Sequence, residues 1–268
     1  MAGLPARLVR TVTAVVVCLA VTSCGEDDTT GAAAPEPVLV EEGSLTVCTS
    51  LPYEPFEFRK DGETVGFDID LASQVAEELR LAPRIVNADF DAIQSGELLN
   101  DGRCDVAIAG MTITGDRARV VDFSSPYFNA TQAMVVRQGS GVSALEDLGG
   151  LKIAVQSGTT GELYLTDNAP NDAEIVTFED SSDVDAALRD GEVTAAVYDN
   201  TVVGDVTARN PEFEVAAEFD TGEQYGMAVK KNGNVELLRT INAMLAQLDA
   251  SGGYDELYRK WFGEAPTT

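Results

Sequence analysis

The stretch DVAIAGMTITGDR, residues 105–117, decides how the chain reads. Residues 105–109 form a short, largely apolar and partly β-branched run, the pattern of a buried strand whose carboxyl end is Gly110. Past that end come the hydroxyls of Thr112 and Thr114, then Asp116 as a helix N-cap and Arg117 in the first helical turn. In open α/β sheets the carboxyl ends of strands face the ligand crevice, so the segment is a polar hook on a rigid stem. An ordinary strand-to-helix connection carrying a solvated arginine is the alternative, and these residues alone do not separate the two.

Strand and helix patterns alternate around the hook. LTVCT (45–49) reads as a strand and GFDIDLASQVAEELR (66–80) as a helix, with Phe67, Leu71, Val75 and Leu79 on one stripe and Asp68 as its cap. RIVNA (84–88) reads as a strand and FDAIQSGELLNDG (90–102) as a helix leading into the hook strand. The rhythm then restarts: LKIAVQ (151–156), a helix from Thr160, AEIVTF (173–178), SSDVDAALRDG (181–191) and VTAAVYD (193–199). Two βαβαβ passes predict an α/β protein of two lobes, each a mainly parallel sheet flanked by helices.

QAMVVRQ (132–138) and QYGMAVKK (224–231) are strand-like and stand where the chain must cross between lobes, so they predict two hinge strands. Residues 235–263 have helical periodicity with a break at Gly252 and Gly253, and the economical packing returns them to the first lobe. Lobe 1 is therefore expected over 44–134 plus 225–264 and lobe 2 over 138–222, with a cleft facing the strand ends.

Composition narrows the function classes. The formal charge is −27, with 18 Lys+Arg against 45 Asp+Glu and no histidine. A polyanion is a poor nucleic-acid partner, because phosphates demand basic side chains. Without histidine the commonest general base and zinc ligand are missing. No GxSxG, Walker A, HExxH or paired CxxC motif occurs either, so no enzyme, metal or cofactor is expected.

The N-terminus has its own character. Arg7 and Arg10 precede an apolar stretch, residues 11–21, about half of the roughly 20 residues a membrane-spanning helix needs, so it reads as a signal-peptide core. The segment 1–23 with Cys24 resembles a bacterial lipoprotein signal, which implies lipidation of Cys24; a plain signal peptide or short anchor with an incidental cysteine is the alternative. Residues 24–43 are polar, acidic, small or proline-rich and predict a disordered tether spanning about 25 Å. Cys48 and Cys104 remain in the folded part, and an exported location favours a disulfide between them over two buried thiols.

If both sheets present their strand ends to one cleft, the first lobe offers Tyr53, the Phe67 helix start, Gly110, Thr112 and Arg117. The second offers residues 156–160 and Asp199. A guanidinium and a carboxylate on opposing lobes suit a small zwitterion, with the arginine forked onto a carboxylate and the aspartate on an ammonium. Taken singly, Tyr53 and Phe67 could equally be core aromatics, residues 158–160 a capping turn, and Asp199 a cap for the next helix.

Seven stretches in order, PYEPFEF (52–58), VGFDIDLASQVAEEL (65–79), GMTITGDR (110–117), VDFSSPYF (121–128), VQSGTTGE (155–162), AAVYD (195–199) and YDELYRKWFG (254–263), resemble the extracellular solute-binding proteins of bacterial polar amino-acid ABC importers. The resemblance covers nearly all of residues 44–264 and implies the two-lobed type II periplasmic-binding-protein fold. It implies that Tyr53 and Phe67 sandwich the ligand side chain, that Gly110, Thr112 and Arg117 bind the α-carboxylate with Thr160 added from lobe 2, and that Asp199 binds the α-ammonium. Ser50, Gln156 and Tyr198 fall at positions implied to read the side chain. Members for basic amino acids or glutamine often carry aspartate where Ser50 stands, so a cationic side chain loses one expected partner; glutamate would want a basic residue near Gln156 or Tyr198, and none is evident, so a neutral polar side chain is expected. The implied partners are a free amino acid, a permease with its ATPase subunit, and the membrane through the lipid anchor, for a monomer outside the cytoplasm. A ligand-sensing domain serving a receptor, and a prephenate or arogenate dehydratase on the same fold, are the rival readings.

Overall fold

The computed structural model describes residues 1–3 and 36–263; the chain divides into Met1–Ala34 and Pro35–Thr268, and everything below concerns the second unit. The signal-peptide reading beyond residue 3, the lipidation of Cys24 and the tether up to residue 35 lie outside the described residues.

In chain order the elements are β1 (Ser44–Thr49), β2 (Phe58–Lys60), β3 (Glu63–Val65), α1 (Phe67–Glu78), β4 (Ala82–Asn87), α2 (Phe90–Gln94), α3 (Glu97–Asn100), β5 (Val106–Ala107), α4 (Arg117–Val120), β6 (Val121–Phe123) and β7 (Phe128–Arg137). After a 3-10 turn, Leu145–Leu148, come β8 (Lys152–Gln156), α5 (Thr160–Asn168), β9 (Glu174–Phe178), α6 (Ser181–Asp190), β10 (Ala195–Asp199) and α7 (Val203–Arg209). The chain closes with β11 (Phe213–Tyr225), β12 (Ala228–Lys230), α8 (Val235–Ser251) and α9 (Gly253–Phe262).

Two five-stranded sheets organise these elements, in the orders β4-β1-β5-β12-β6 and β11-β7-β10-β8-β9. In the first, β1 runs parallel to β4 and β5 while β12 runs antiparallel to β5 and β6. In the second, β8 runs parallel to β9 and β10 while β7 runs antiparallel to β10 and β11. The sheets are therefore mixed, which corrects the mainly parallel expectation. Both crossings between sheets deliver strands that lack a helical crossover, and such strands enter antiparallel.

The lobe boundaries also shift. Gln132 already pairs with Asp199 inside the second sheet, so residues 132–137 belong to lobe 2, and the crossing lies nearer residue 128. The return segment 224–231 is two strands, because β11 ends at Tyr225 and β12 begins at Ala228 in the other sheet. At the N-terminal edge the tether expectation fails over its last residues. Leu39 packs against the core, Val40 N–H donates to Asp105 Oδ1 at 2.7 Å, and Asn234 donates to the Val38 carbonyl at 2.8 Å.

Period-two alternation builds the second lobe. Ile153, Val155, Ala195 and Val197 pack with Leu165 of α5, while Ala154, Ala196 and Tyr198 turn to the face carrying Val184 and Leu188 of α6. In the first lobe α1, α8 and α9 lie together, and α9 is fastened by Trp261 Nε1, which donates to Asp70 Oδ2 at 2.7 Å. Cys48 on β1 and Cys104 before β5 form a disulfide across adjacent strands, with Cα atoms 5.8 Å apart.

The bridge spans a sequence separation of 56. Cys48→Ser with Cys104→Ser is expected to lose about 4 kcal/mol of stability through the loop it opens. Urea unfolding of the double variant beside the oxidised and reduced wild type checks this, and the reduced wild type should match the variant.

Candidate functional site

Strand ends from both sheets converge on one cavity. From the first lobe it is lined by Ser50 and Tyr53 after β1, Phe90 after β4, and Gly110, Thr112 and Arg117 after β5. From the second it is lined by Gln156, Thr159 and Thr160 after β8, Ser181 after β9, and Tyr198 and Asp199 at the end of β10. Gln132, at the root of the crossing strand β7, closes one wall.

The hook is built by neighbours rather than by helix caps. Asp116 has helical backbone angles and makes no cap; the Thr114 hydroxyl accepts the Arg117 N–H at 3.2 Å, and Asp116 pairs with Arg119 instead. Thr112 forms a backbone bridge to Tyr225, with Ile113 N–H on the Gln224 carbonyl at 2.8 Å, so the return crossing pins the hook. Gly110 has φ +53°, and a β-carbon there would stand 2.6 Å from the Tyr53 ring, which is why no side chain fits.

Arg117 is only 5% exposed. Its Nη1 donates to the Thr112 carbonyl at 2.8 Å and its Nη2 to the Gly158 carbonyl of the second lobe at 2.8 Å, while the guanidinium carbon lies 5.2 Å from the Phe90 ring centre. Burial pulls its pKa down to about 10, against the pull of Asp199 and Glu223, so it stays charged at neutral pH. Two of its five N–H donors are used by carbonyls, leaving three for a ligand. Gly158 itself has φ +72°, and a β-carbon there would meet Asp91 of the first lobe at 1.9 Å, so the lobes approach too closely there for a side chain.

Asp199 is held by neutral donors. Tyr53 OH donates to Oδ2 at 2.9 Å, Tyr225 OH also donates to Oδ2, and Gln132 Nε2 donates to Oδ1 at 2.6 Å. Burial, with the charge of Glu223, pushes its pKa up to about 6. Glu223 on β11 takes the Thr112 hydroxyl at 2.7 Å, the Thr160 hydroxyl at 2.6 Å and Gln132 Nε2 at 2.9 Å. Each threonine has one hydroxyl proton, so a ligand carboxylate at Arg117 must draw these protons from Glu223 or rest on the guanidinium. Thr159, not Thr160, caps α5 by accepting the Glu162 N–H at 3.2 Å, which leaves Thr160 to the cleft.

Of the residues named from sequence, Ser50, Tyr53, Gly110, Thr112, Arg117, Gln156, Thr160, Tyr198 and Asp199 all line the cavity. Phe67 does not. It is fully buried in the first lobe, 6.0 Å from Phe56, 5.6 Å from Phe128 and 5.5 Å from Phe262 between ring centres, and so is a core aromatic. Phe90, which opens α2 just past the β4 end, lines the cavity instead; the strand-end rule that singles out Tyr53 applies to it equally. Asp68, read as a helix cap, is buried inside α1 and accepts the Gly110 N–H at 2.8 Å. That bond spends the Gly110 amide, so what Gly110 has left to offer a ligand is its carbonyl. Gln132 and Glu223 carry no signal in the sequence, since each is one polar residue inside a crossing strand.

The chain matches the family of bacterial extracellular solute-binding proteins, family 3, over residues 45–264. It is 36% identical over 209 residues to the ABC transporter glutamine-binding protein GlnH of Bacillus subtilis (strain 168), covering 76% of this chain and 75% of that one. An ancestral arginine-binding protein bound to arginine superposes with a TM-score of 0.78 at 42% identity, over 82% of this chain and 98% of the other. An ancestral arginine-binding protein bound to glutamine gives 0.79 at 42% identity, over 84% of this chain and 100% of the other. The two mixed sheets flanked by helices are thus the type II periplasmic-binding-protein fold, and the chain belongs to the extracellular solute-binding proteins of family 3.

Proposed function

We propose that this chain captures a free polar amino acid between its lobes, is held at the membrane through a lipidated Cys24, and delivers its cargo as a monomer to an ABC permease, without catalysing a reaction. The observation that carries the reading is a buried cation and a half-buried carboxylate, Arg117 and Asp199, lining one cavity from two different sheets. A guanidinium with three free donors matches an α-carboxylate, and an aspartate already ringed by hydroxyl and amide donors matches an α-ammonium. Both halves of the site come from one chain, which supports a monomer.

Capture works through closure. Arg117 to Gly158, Ser157 to Asp91 at 2.9 Å and Ser181 to the Pro52 carbonyl at 2.8 Å join the lobes directly. A ligand touching both lobes adds its own contacts to that form alone and so shifts the population toward it.

The far part of the cavity favours donor-bearing side chains. Among the described residues Arg117 is the one cation lining it, whereas Glu57 and Asp180 add carboxyls and Gln156, Ser50 and Tyr198 add polar groups. An amide side chain finds acceptors there; so does a guanidinium, and the solved relatives holding arginine and glutamine support both chemistries. Acidic side chains meet no partner.

Melting the purified protein against each proteinogenic amino acid should single out one or a few that stabilise it, by about 2.7 kcal/mol at a hundredfold excess over the dissociation constant. Arg117→Ala should bind that ligand at least about thirtyfold more weakly, since truncating a buried charge partner costs 2 kcal/mol or more. No shift with any amino acid would sink the reading.

Affinity should also follow the charge on Asp199. Its pKa is raised to about 6, so the ionised form that pairs an ammonium is present above that pH and is lost as pH falls through it. Calorimetric titrations should show binding weakening about tenfold between pH 7 and pH 5, with Asp199→Asn weak throughout and nearly flat.

The two phenylalanines separate cleanly. Phe67→Ala should lower stability by about 3–5 kcal/mol as a core truncation. Phe90→Ala, removing a cavity wall, should weaken ligand binding with a smaller loss of melting temperature, and an affinity unchanged in Phe90→Ala would count against the cavity as the binding site.

A further inference from the structure

Beneath the Gly110 turn two carboxyl groups meet without a cation. Glu57 precedes β2 and Asp68 lies in the first turn of α1; the Phe67 and Asp68 N–H groups on the Pro55 and Phe56 carbonyls, each at 3.0 Å, bring the segments together. Both side chains are fully buried on these adjoining segments. Asp68 Oδ2 is well served, by Gly110 N–H at 2.8 Å and Tyr127 OH at 2.8 Å. Asp68 Oδ1 and both Glu57 oxygens have no donor among the described residues.

The groups facing the pair are hydroxyls. Tyr127 donates to Asp68, Tyr254 on α9 donates to the Tyr127 carbonyl at 2.7 Å, Tyr53 after β1 is tied to Glu57 through its backbone N–H at 2.7 Å, and the Thr49 hydroxyl at the end of β1 is buried without a partner. No lysine or arginine among the described residues pairs with either carboxyl. Two ionised carboxylates buried in contact repel and satisfy none of each other's lone pairs, at a cost of several kcal/mol. A single proton removes both problems.

We propose that Glu57 is a positioning residue that keeps its proton at neutral pH and donates it to Asp68 Oδ1, so that a carboxyl–carboxylate pair holds the Gly110 turn against the ligand cavity. The charge rests on Asp68, which already accepts two donors, and the proton on Glu57, which accepts none. Burial raises both groups in the same sense, Glu57 well above the usual carboxylate range and Asp68 to about 7. Because Glu57 also lines the cavity, loss of this proton sets a second negative charge beside the ligand and loosens the anchor of Gly110 at once.

The pair makes stability depend on pH with a definite sign. Unfolded carboxyls release their protons near pH 4, whereas the native pair retains one. The native state therefore binds more protons than the unfolded chain above that pH, and stability falls as pH rises through the pair's own titration.

Infrared spectroscopy tests the proposal without any ligand. At pH 7.5 the wild type should give the C=O band of a protonated carboxylic acid, shifted by deuterium exchange and absent from Glu57→Gln. The glutamine amide donates the same hydrogen bond but cannot titrate, so Glu57→Gln should lose less melting temperature than the wild type between pH 6 and pH 8.5. Wild-type protein with no acid band at pH 7.5 overturns the proposal even if Glu57→Gln fails to fold. A band that survives in Glu57→Gln, or melting curves that stay parallel across this range, overturns it as well.

Discussion

A guanidinium removed from water must be met by acceptors, and at Arg117 those acceptors come from both lobes. The Thr112 carbonyl lies in its own loop, the Gly158 carbonyl belongs to the other sheet, and the Phe90 ring covers it from a third direction. Desolvating an arginine is unfavourable unless its hydrogen bonds are replaced, so this burial is sustained only while the lobes are together. Part of what compensates the buried charge therefore comes from the opposite lobe. The small residue at Gly158, the strand ends that aim the loops and the crossing strands that set the distance between sheets all serve that contact.

The carboxylates opposite are stabilised in another way. Asp199, Glu223 and Asp68 are surrounded by phenols, an amide, threonine hydroxyls and a backbone N–H, not by lysines. Neutral donors satisfy oxygen lone pairs without cancelling charge, so the negative potential survives inside the cleft and remains available to a ligand's cationic end. This is also why burial dominates the pKa shifts of Asp68 and Asp199. The cleft thus carries in miniature the acidity of a chain with a formal charge of −27.

Particular residues show where sequence reasoning reaches. The alternation in β8 and β10, the stripe Phe67, Leu71, Val75 on α1 and the glycines closing helices are local signals, and the elements follow them. The strand-end rule located Tyr53, Thr112, Arg117, Thr160 and Asp199, because backbone direction alone decides which loops face a crevice. It did not separate Phe67 from Phe90, since both open helices beside a strand end. Nor could it show that Asp68 reaches across 42 residues to the Gly110 amide, or that the last residues of the acidic leader dock through Asp105.

The sequence by itself determined the element order, the two-pass α/β plan and most cavity residues, because side-chain periodicity and strand polarity are properties of the local chain. Tertiary structure decided the strand directions at each crossing, which phenylalanine lines the cavity, and the meeting of Asp68 with the Gly110 amide and of Glu223 with two threonines. These depend on which segments come within about 3 Å of each other after folding, a distance that hydrogen bonds require and that sequence spacing does not encode.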